Sequence, residues 1–168
     1  MTDDPEITLR PGLPADLGAI NRVVEGAVMT WRVAERVKRL ALPGYRYAES
    51  DFADHTFIVA ARGGDGVVGV AAMTDAEARD LPAGSTGVYL HGLYVLPALH
   101  RRGVGARLFL AVVNRARECS AAGVLVKAQR DAEAFFHAQG MRPLERNGGE
   151  PVYPRPYWFS LASLKATA

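Results

Sequence analysis

A glycine-rich segment in the second half of the chain has residue types that bind phosphate. It reads His100-Arg101-Arg102-Gly103-Val104-Gly105-Ala106, and it lies between the apolar stretch Leu93 to Pro97 and a stretch of helical periodicity. Glycine lets the backbone approach a ligand closely, and the first N–H groups of a helix have no intrahelical partner. Because the helix dipole is positive at that end and Arg101 and Arg102 add charge, the segment predicts a phosphate or pyrophosphate site.

Two widespread phosphate-binding motifs do not fit this segment. A dinucleotide fingerprint requires a third glycine three residues after Gly105, where Leu108 stands, and an acidic residue about twenty positions further on. A P-loop requires Gly-Lys-Ser/Thr, which the sequence lacks. A nucleotide-binding domain with a degenerate loop therefore remains an alternative, and the missing third glycine counts against it.

Hydrophobic periodicity predicts an α/β chain in which the glycine-rich segment joins a strand to a helix. Strands are expected at 7–10, 57–61, 67–73, 88–95, 124–128 and 157–161, and helices at 14–28, 33–40, 103–122 and 131–139. The second helix should end before Pro43-Gly44, and Gly123 and Gly140 should close the last two helices. Arg62-Gly63-Gly64-Asp65-Gly66 predicts a hairpin turn. Cys119 falls on the apolar face of its helix and is expected in the core.

Composition narrows the class of protein. The chain has 168 residues, of which 49% are apolar and 23% charged, so a single globular domain, 1–168, is expected. The formal charge of +2 favours no nucleic-acid partner, and the longest apolar run has six residues, against about 20 for a membrane span. One cysteine excludes an internal disulfide, and the acidic N-terminus predicts no secretory signal, hence a cytoplasmic protein.

Two motifs together resemble those of the GNAT superfamily of acyl-CoA-dependent N-acetyltransferases. The family pattern Gln/Arg-x-x-Gly-x-Gly/Ala at a helix start is similar to the segment from His100 to Gly105. The family pattern Asn-x-x-Ala-x-x-Phe-Tyr-x-x-x-Gly-Phe is similar to the segment from Gln129 to Met141. The order of elements also resembles the family over nearly the whole chain.

The resemblance implies a fold and a cosubstrate. The expected fold is a GNAT-like three-layer α/β arrangement, with a mixed, mostly antiparallel central sheet splayed between the fourth and fifth strands and about four flanking helices. The cosubstrate is acetyl-CoA, with no metal. The residues implied in binding it are Leu93, Tyr94, Val95, His100, Arg101, Arg102, Gly103, Val104, Gly105, Ala106, Gln129 and Phe136.

Three residues depart from the family motifs. His100 replaces Gln or Arg, Gln129 replaces Asn, and Phe136 replaces the Tyr that is often proposed to protonate the departing thiolate. A thiol has a pKa of about 8.5, so forming thiolate at pH 7 costs about 2 kcal/mol. An alkylamine with a pKa of about 10.4 costs about 4.6 kcal/mol to deprotonate at the same pH. A base is therefore the larger requirement, and the loss of the tyrosine does not exclude catalysis.

His91 is the candidate base. It lies two residues before Leu93, so both side chains are expected on one face of the strand. The pattern His91-Gly92-Leu93-Tyr94-Val95 resembles one that arylalkylamine-type members carry on this strand. A neutral imidazole accepts a proton directly or through water. The alternative is a hydrogen-bonded histidine with only a structural role.

The function implied is transfer of an acetyl group from acetyl-CoA to a primary amine by direct attack. The acceptor is a small-molecule amine or a protein amine, and the sequence does not choose between them. The alternative is a non-catalytic acyl-CoA-binding or sensing domain, which Phe136 keeps open. Trp31 and the loop 147–156 are candidate walls of the acceptor pocket, with core packing and an ordered surface connection as their alternatives. The family also permits a homodimer, although no residue pattern identifies an interface.

Overall fold

The computed structural model describes residues 6–63, 66–145 and 153–163. Its longer helices are α1 (Leu17–Val28), α2 (Glu35–Tyr45), α3 (Val104–Glu118) and α4 (Glu133–Ala138). Its strands are β1 (Ile7–Pro11), β2 (Thr56–Arg62), β3 (Gly66–Asp75), β4 (Gly87–Val95), β5 (Gly123–Ala128), β6 (Arg142–Pro143) and β7 (Arg155–Ser160). Within these described ranges no helix has the length and apolar character to cross a membrane.

The strands of the described residues form one mixed sheet of seven strands in the order β1-β2-β3-β4-β5-β7-β6. The pairs β1–β2, β5–β7 and β6–β7 are antiparallel, and β4–β5 is parallel. The parallel register runs from Gly87 opposite Gly123 to Leu90 opposite Val126, so it ends one residue before His91. The predicted α/β fold class and mixed sheet are confirmed.

The chain divides into two compact units, and β3, β4 and α3 each contribute residues to both. The first unit contains the described residues up to Ala72 together with Gly92–Leu108. Apolar residues of α1 recur every three or four positions and form one buried face. The core of this unit comprises Ile20, Val23, Val24, Ala27, Val28, Phe57, Val59, Val67, Val70, Ala72 and Tyr94. The one polar residue on that face, Asn21, exchanges two hydrogen bonds with the backbone of Tyr47, each of 2.9 Å, and is therefore satisfied.

The second unit contains Met73–His91 and the described residues from Phe109 onward. Its strand β5 is almost continuously buried, as expected for a strand covered on both faces. Three phenylalanines pack edge to face: the ring centroid of Phe109 lies 6.4 Å from that of Phe136 and 5.6 Å from that of Phe159. Gly140 has φ +88° just after α4, which confirms its predicted place at a helix end.

Several predicted boundaries are wrong for identifiable reasons. Helix α2 continues through Pro43 to Tyr45, because a proline in the last turn forfeits only one helical hydrogen bond. Helix α3 ends at Glu118, and Ser120, with φ 55°, takes the left-handed position expected of Gly123, which instead begins β5. Cys119 is exposed rather than in the core. The prediction extended the apolar face of α3 as far as this residue, but the helix ends one residue earlier, at Glu118.

Candidate active site

The glycine-rich segment forms a turn that opens into α3. Arg101 and Gly103 have φ values of 60° and 80°, both in the left-handed region. A Cβ added to Gly103 would meet no atom within 4 Å, so the space above this residue is open. The N–H of Arg107 donates to the carbonyl of Gly103 at 3.0 Å, which is the first helical hydrogen bond. The N–H groups of residues 104–106 therefore precede the hydrogen-bond ladder of a 15-residue helix.

Buried side chains hold this turn in place. Leu99, Val104 and Leu108 are buried within the first unit, while the side chains of Arg101 and Arg102 are exposed. Helix α3 packs closely on β3 because Gly69 has no side chain: a Cβ there would meet Leu108 Cδ1 at 3.0 Å and Val104 Cγ1 at 3.3 Å. The start of α3 is thus held by packing against the core, while Arg101 and Arg102 just before it are exposed to water. An anionic ligand requires this arrangement.

His100 connects the turn to the end of β4. Its ring Nε2 lies 2.9 Å from the carbonyl oxygen of Val95, and because a carbonyl only accepts, Nε2 carries the hydrogen. The backbone N–H of His100 donates to the carbonyl of Pro97 at 3.1 Å. His100 therefore braces the loop that carries the arginines, a contribution that its position in the sequence pattern does not reveal.

The two faces of β4 differ in burial. The residues Tyr89, His91 and Leu93 alternate with residues that are more deeply buried. On the opposite face, Tyr94 is 9% exposed and belongs to the core of the first unit. A Cβ on Gly92 would collide with the Tyr94 ring and with the hydroxyl of Tyr47, so only glycine fits there. The side chain of Tyr94 is thus part of the packed core, and the role of this residue in cofactor binding stays a prediction.

His91 lies in a polar environment on the more open face. Its side chain is exposed, and its Nε2 lies 2.9 Å from the Oγ1 of Thr74 at the end of β3. The ring of Tyr89 lies against it, with centroids 4.2 Å apart and planes at 50°. A histidine that is both accessible and held by neighbours is suited to proton transfer.

A second charged group adjoins Tyr89. Lys127 places Nζ 5.4 Å from the Tyr89 ring centroid and forms an ion pair of 3.1 Å with Asp80. Burial raises the pKa of the Tyr89 phenol above its ordinary value, an effect that Asp80 reinforces and Lys127 opposes. The phenol therefore stays protonated at neutral pH and presents a hydrogen-bond donor on the same face as His91.

Gln129 and Phe136 lie in the second unit. Gln129 is half-buried, and its carbonyl accepts the N–H of Ala132 at 2.9 Å in a short 3-10 turn that leads into α4. Phe136 is 5% exposed and packs against Phe135, with centroids 5.1 Å apart. The position where the family motif has tyrosine is therefore occupied by a hydrocarbon ring in a packed core.

The predicted site residues thus form two groups. Leu93, Tyr94, Val95 and the segment from His100 to Ala106 lie in the first unit, and His91, Gln129 and Phe136 lie in the second. Sequence reasoning missed Thr74 and Tyr89. The alternation of a strand places Tyr89 on the face of His91 and would have found it, whereas Thr74 is 17 residues away and gives no local signal.

Of the two candidate walls of an acceptor pocket, the structure describes Trp31 fully and the loop 147–156 only in part. Trp31 is half-buried, packs against the core of the first unit and makes an edge-on contact with Tyr45, with centroids 4.9 Å apart, which favours the packing interpretation. The greater part of the loop 147–156 lies outside the described residues, so its assignment stays a prediction.

Three solved structures with similar folds carry acetyltransferase names. The PaiA N-acetyltransferase from Thermoplasma acidophilum, solved with coenzyme A, aligns with a TM-score of 0.72 and 13% identity, over 92% of this chain and 99% of that one. A GCN5-related N-acetyltransferase from Rhodopseudomonas palustris aligns with a TM-score of 0.69 and 22% identity, over 96% and 98%. A GNAT family acetyltransferase from Brucella melitensis, solved with acetyl-CoA, aligns with a TM-score of 0.64 and 18% identity, over 93% and 88%.

At these identities the structural likeness establishes the fold, and the sequence itself must establish the family. No curated protein matches the sequence. The sequence model described as an acetyltransferase (GNAT) domain matches residues 34–150, which is more than half of the chain and includes both motifs. The chain belongs to the GNAT acetyltransferase family.

Proposed function

We propose that this protein transfers an acetyl group from acetyl-CoA to a primary amine. The observation that carries the proposal is the cationic turn at the start of α3, on a segment that directly follows the strand bearing His91. A family member with an anion-binding turn and an accessible base on one continuous stretch of chain has the two parts that amine acetylation requires. The PaiA structure with coenzyme A and the Brucella structure with acetyl-CoA support the choice of cosubstrate.

The diphosphate of acetyl-CoA would bind at the turn. The N–H groups of residues 104–106 would donate to its oxygens, and Arg101 and Arg102 would neutralise its charge. The open space at Gly103 supports close approach, since no atom lies within 4 Å of where a Cβ would stand. Backbone groups of Leu93 and Val95 would pair with the pantetheine arm, and Gln129 and Phe136 would contribute the further contacts that the family motif assigns to their positions.

His91 would act as the base. The ammonium group of the acceptor loses a proton to the imidazole, and the amine nitrogen then attacks the thioester carbonyl carbon. The new C–N bond forms as the C–S bond breaks, and the second proton lost by the attacking nitrogen passes through water to the departing thiolate to give free CoA. The proton held by His91 is released to solvent. A backbone N–H near Leu93 or Val95 would stabilise the oxyanion, a contribution worth roughly 3–4 kcal/mol in other acyl transfers.

In this proposal the more costly proton transfer, removal of the ammonium proton, falls to His91, which is accessible. Removing the ammonium proton at pH 7 costs about 4.6 kcal/mol, against about 2 kcal/mol for releasing thiolate. His91 is exposed and hydrogen-bonded, whereas Phe136 is buried and has no proton to give. Water or a bound solvent molecule suffices to protonate the thiolate.

The test is CoA release from acetyl-CoA with a panel of amines, followed with a thiol reagent. His91→Gln should lower kcat/KM by about 10²–10⁴-fold on an active amine, the usual contribution of a general base. His137→Gln is the matched control, because His137 is exposed on α4 and lies outside the proposed site. Equal kcat/KM in wild type and His91→Gln across the pH range would refute the assignment of the base. Tight CoA binding without thiol release on any amine would favour the acyl-CoA-sensing alternative.

A further inference from the structure

The hydroxyl of Thr74 takes part in two hydrogen bonds but has a single proton. Its Oγ1 lies 3.1 Å from the carbonyl oxygen of Asp75, with donor geometry, and 2.9 Å from Nε2 of His91. A carbonyl oxygen only accepts, so the Thr74 proton is committed to Asp75. The contact with His91 is then a hydrogen bond only if Nε2 donates and Oγ1 accepts. Both bonds exist together in one protonation pattern, in which neutral His91 carries its hydrogen on Nε2.

We propose that Thr74 is a positioning residue that holds His91 as the Nε2–H tautomer and so makes Nδ1 the atom that receives the acceptor's proton. This inference rests on the proposed role of His91 as the base. The base must present a lone pair in the correct direction. In a neutral histidine one ring nitrogen carries the hydrogen and only the other has a free lone pair. Selecting the tautomer therefore selects the reactive atom.

The ring is also held in orientation. The Tyr89 ring packs against His91, with centroids 4.2 Å apart, and limits rotation about the Cβ–Cγ bond. A ring turned by half a revolution would place carbon Cε1 rather than Nε2 against Thr74 and lose the 2.9 Å hydrogen bond. Thr74 thus distinguishes the two ring orientations as well as the two tautomers.

The proton balance fits a positioning role and excludes a relay through Thr74. When Nδ1 accepts the proton from the acceptor ammonium, His91 becomes an imidazolium with hydrogens on both nitrogens. The Nε2–H continues to donate to Thr74, whose own proton stays with the Asp75 carbonyl, so the network serves both states unchanged. The proton on Nδ1 later leaves for water, and the neutral Nε2–H form is restored.

The direct test is ¹⁵N NMR of histidine-labelled protein at a pH where His91 is neutral, with the His91 signals identified by their absence in His91→Gln. Wild type should show the Nε2–H pattern of ring ¹⁵N shifts. Thr74→Val, which keeps the shape and removes the hydroxyl, should show a mixture of tautomers. Thr74→Ser should restore the Nε2–H pattern. An Nδ1–H pattern in wild type, or an unchanged pattern in Thr74→Val, would overturn the proposal.

Kinetics separate this proposal from the role of His91 itself. Thr74→Val should lower kcat/KM by about tenfold, less than the full general-base contribution because the base itself remains, with acetyl-CoA affinity unchanged. Thr74→Ser should stay within about threefold of wild type. If His91→Gln loses activity but Thr74→Val does not, the positioning role fails and the base stands. If His91→Gln keeps full activity, the proposed base fails, and the NMR result still decides the tautomer. Should Thr74→Val not fold, the wild-type tautomer and Thr74→Ser keep the proposal open to refutation.

Discussion

Two side chains of the candidate site, His91 and Phe136, differ in polarity and exposure. His91 is exposed and hydrogen-bonded to Thr74, while Phe136, at the family's tyrosine position, is 5% exposed within a cluster of aromatic rings. In the proposed reaction the amine requires the larger contribution, and the polar side chain is the one at the position proposed for the base. We infer that a dedicated acid is dispensable here and a held base is not.

Restoring the family's tyrosine tests this inference. Phe136→Tyr should raise kcat by less than tenfold, since thiolate release costs only about 2 kcal/mol at pH 7. It should also destabilise the fold by about 1–3 kcal/mol if the new hydroxyl finds no partner in the core. Thermal unfolding and thiol release measure the two effects, with Phe135→Tyr as a control at a half-buried neighbour. A gain in kcat well above tenfold would show that an acid had been missing.

Single residues also show the limit of sequence reasoning. His91 is predictable because the alternation of a strand ties its side chain to that of Leu93, which is local information. Thr74 is not, because its contact with His91 joins residues 17 positions apart on different strands. The bracing role of His100 is hidden for a different reason, since a histidine beside two arginines is interpreted as part of a cationic motif until its hydrogen bond to Val95 is seen.

Among elements, strands and helix cores were predictable and helix ends were not. The buried face of α1 lies where its periodicity predicts, because an amphipathic face of three turns is a strong signal. The helix nevertheless begins at Leu17 rather than at residue 14, since Pro14–Asp16 form a 3-10 turn. The C-terminal end of α3 depends on Ser120 adopting φ 55°, which the sequence gives no reason to expect while Gly123 stands three residues later. Gly123 is required for packing instead: a Cβ there would collide with the Phe159 carbonyl and the Trp158 ring.

In the proposed function, cosubstrate binding depends on the turn at the start of α3. Gly103→Ala places a Cβ in open space but on a backbone with φ 80°, so strain of about 1–2 kcal/mol is expected without a clash. The variant should show a lower Tm and weaker binding of CoA by calorimetry. Gly84→Ala is the matched control, because Gly84 has φ 75° and equally open surroundings but lies outside the turn. Equal loss of CoA affinity in both variants would contradict a specific role for the turn.

For the whole molecule, net charge conceals the feature that matters. The formal charge of +2 favours no nucleic-acid partner, yet Arg101 and Arg102 are exposed beside the first amides of α3. Exposed charges act over about 8–10 Å at moderate salt, so a local cluster attracts a diphosphate whatever the total charge. Composition therefore bounds the class of protein, and the local arrangement of charge, in the motif and on the fold, indicates the ligand.

Ligand binding should be visible in the stability of the entire chain. A ligand that binds only the folded state at a hundred times its Kd contributes about 2.7 kcal/mol, which for a chain of this size corresponds to a rise in Tm of roughly 5–10 °C. Acetyl-CoA and CoA should both give such a rise in a thermal-shift experiment, because both carry the diphosphate that the turn would bind. NAD should give little, since the turn lacks the third glycine of a dinucleotide fingerprint. The rise should shrink at high salt, where the arginines are screened, and in Gly103→Ala at equal ligand concentration. A comparable rise with NAD would instead favour a nucleotide-binding role for the turn.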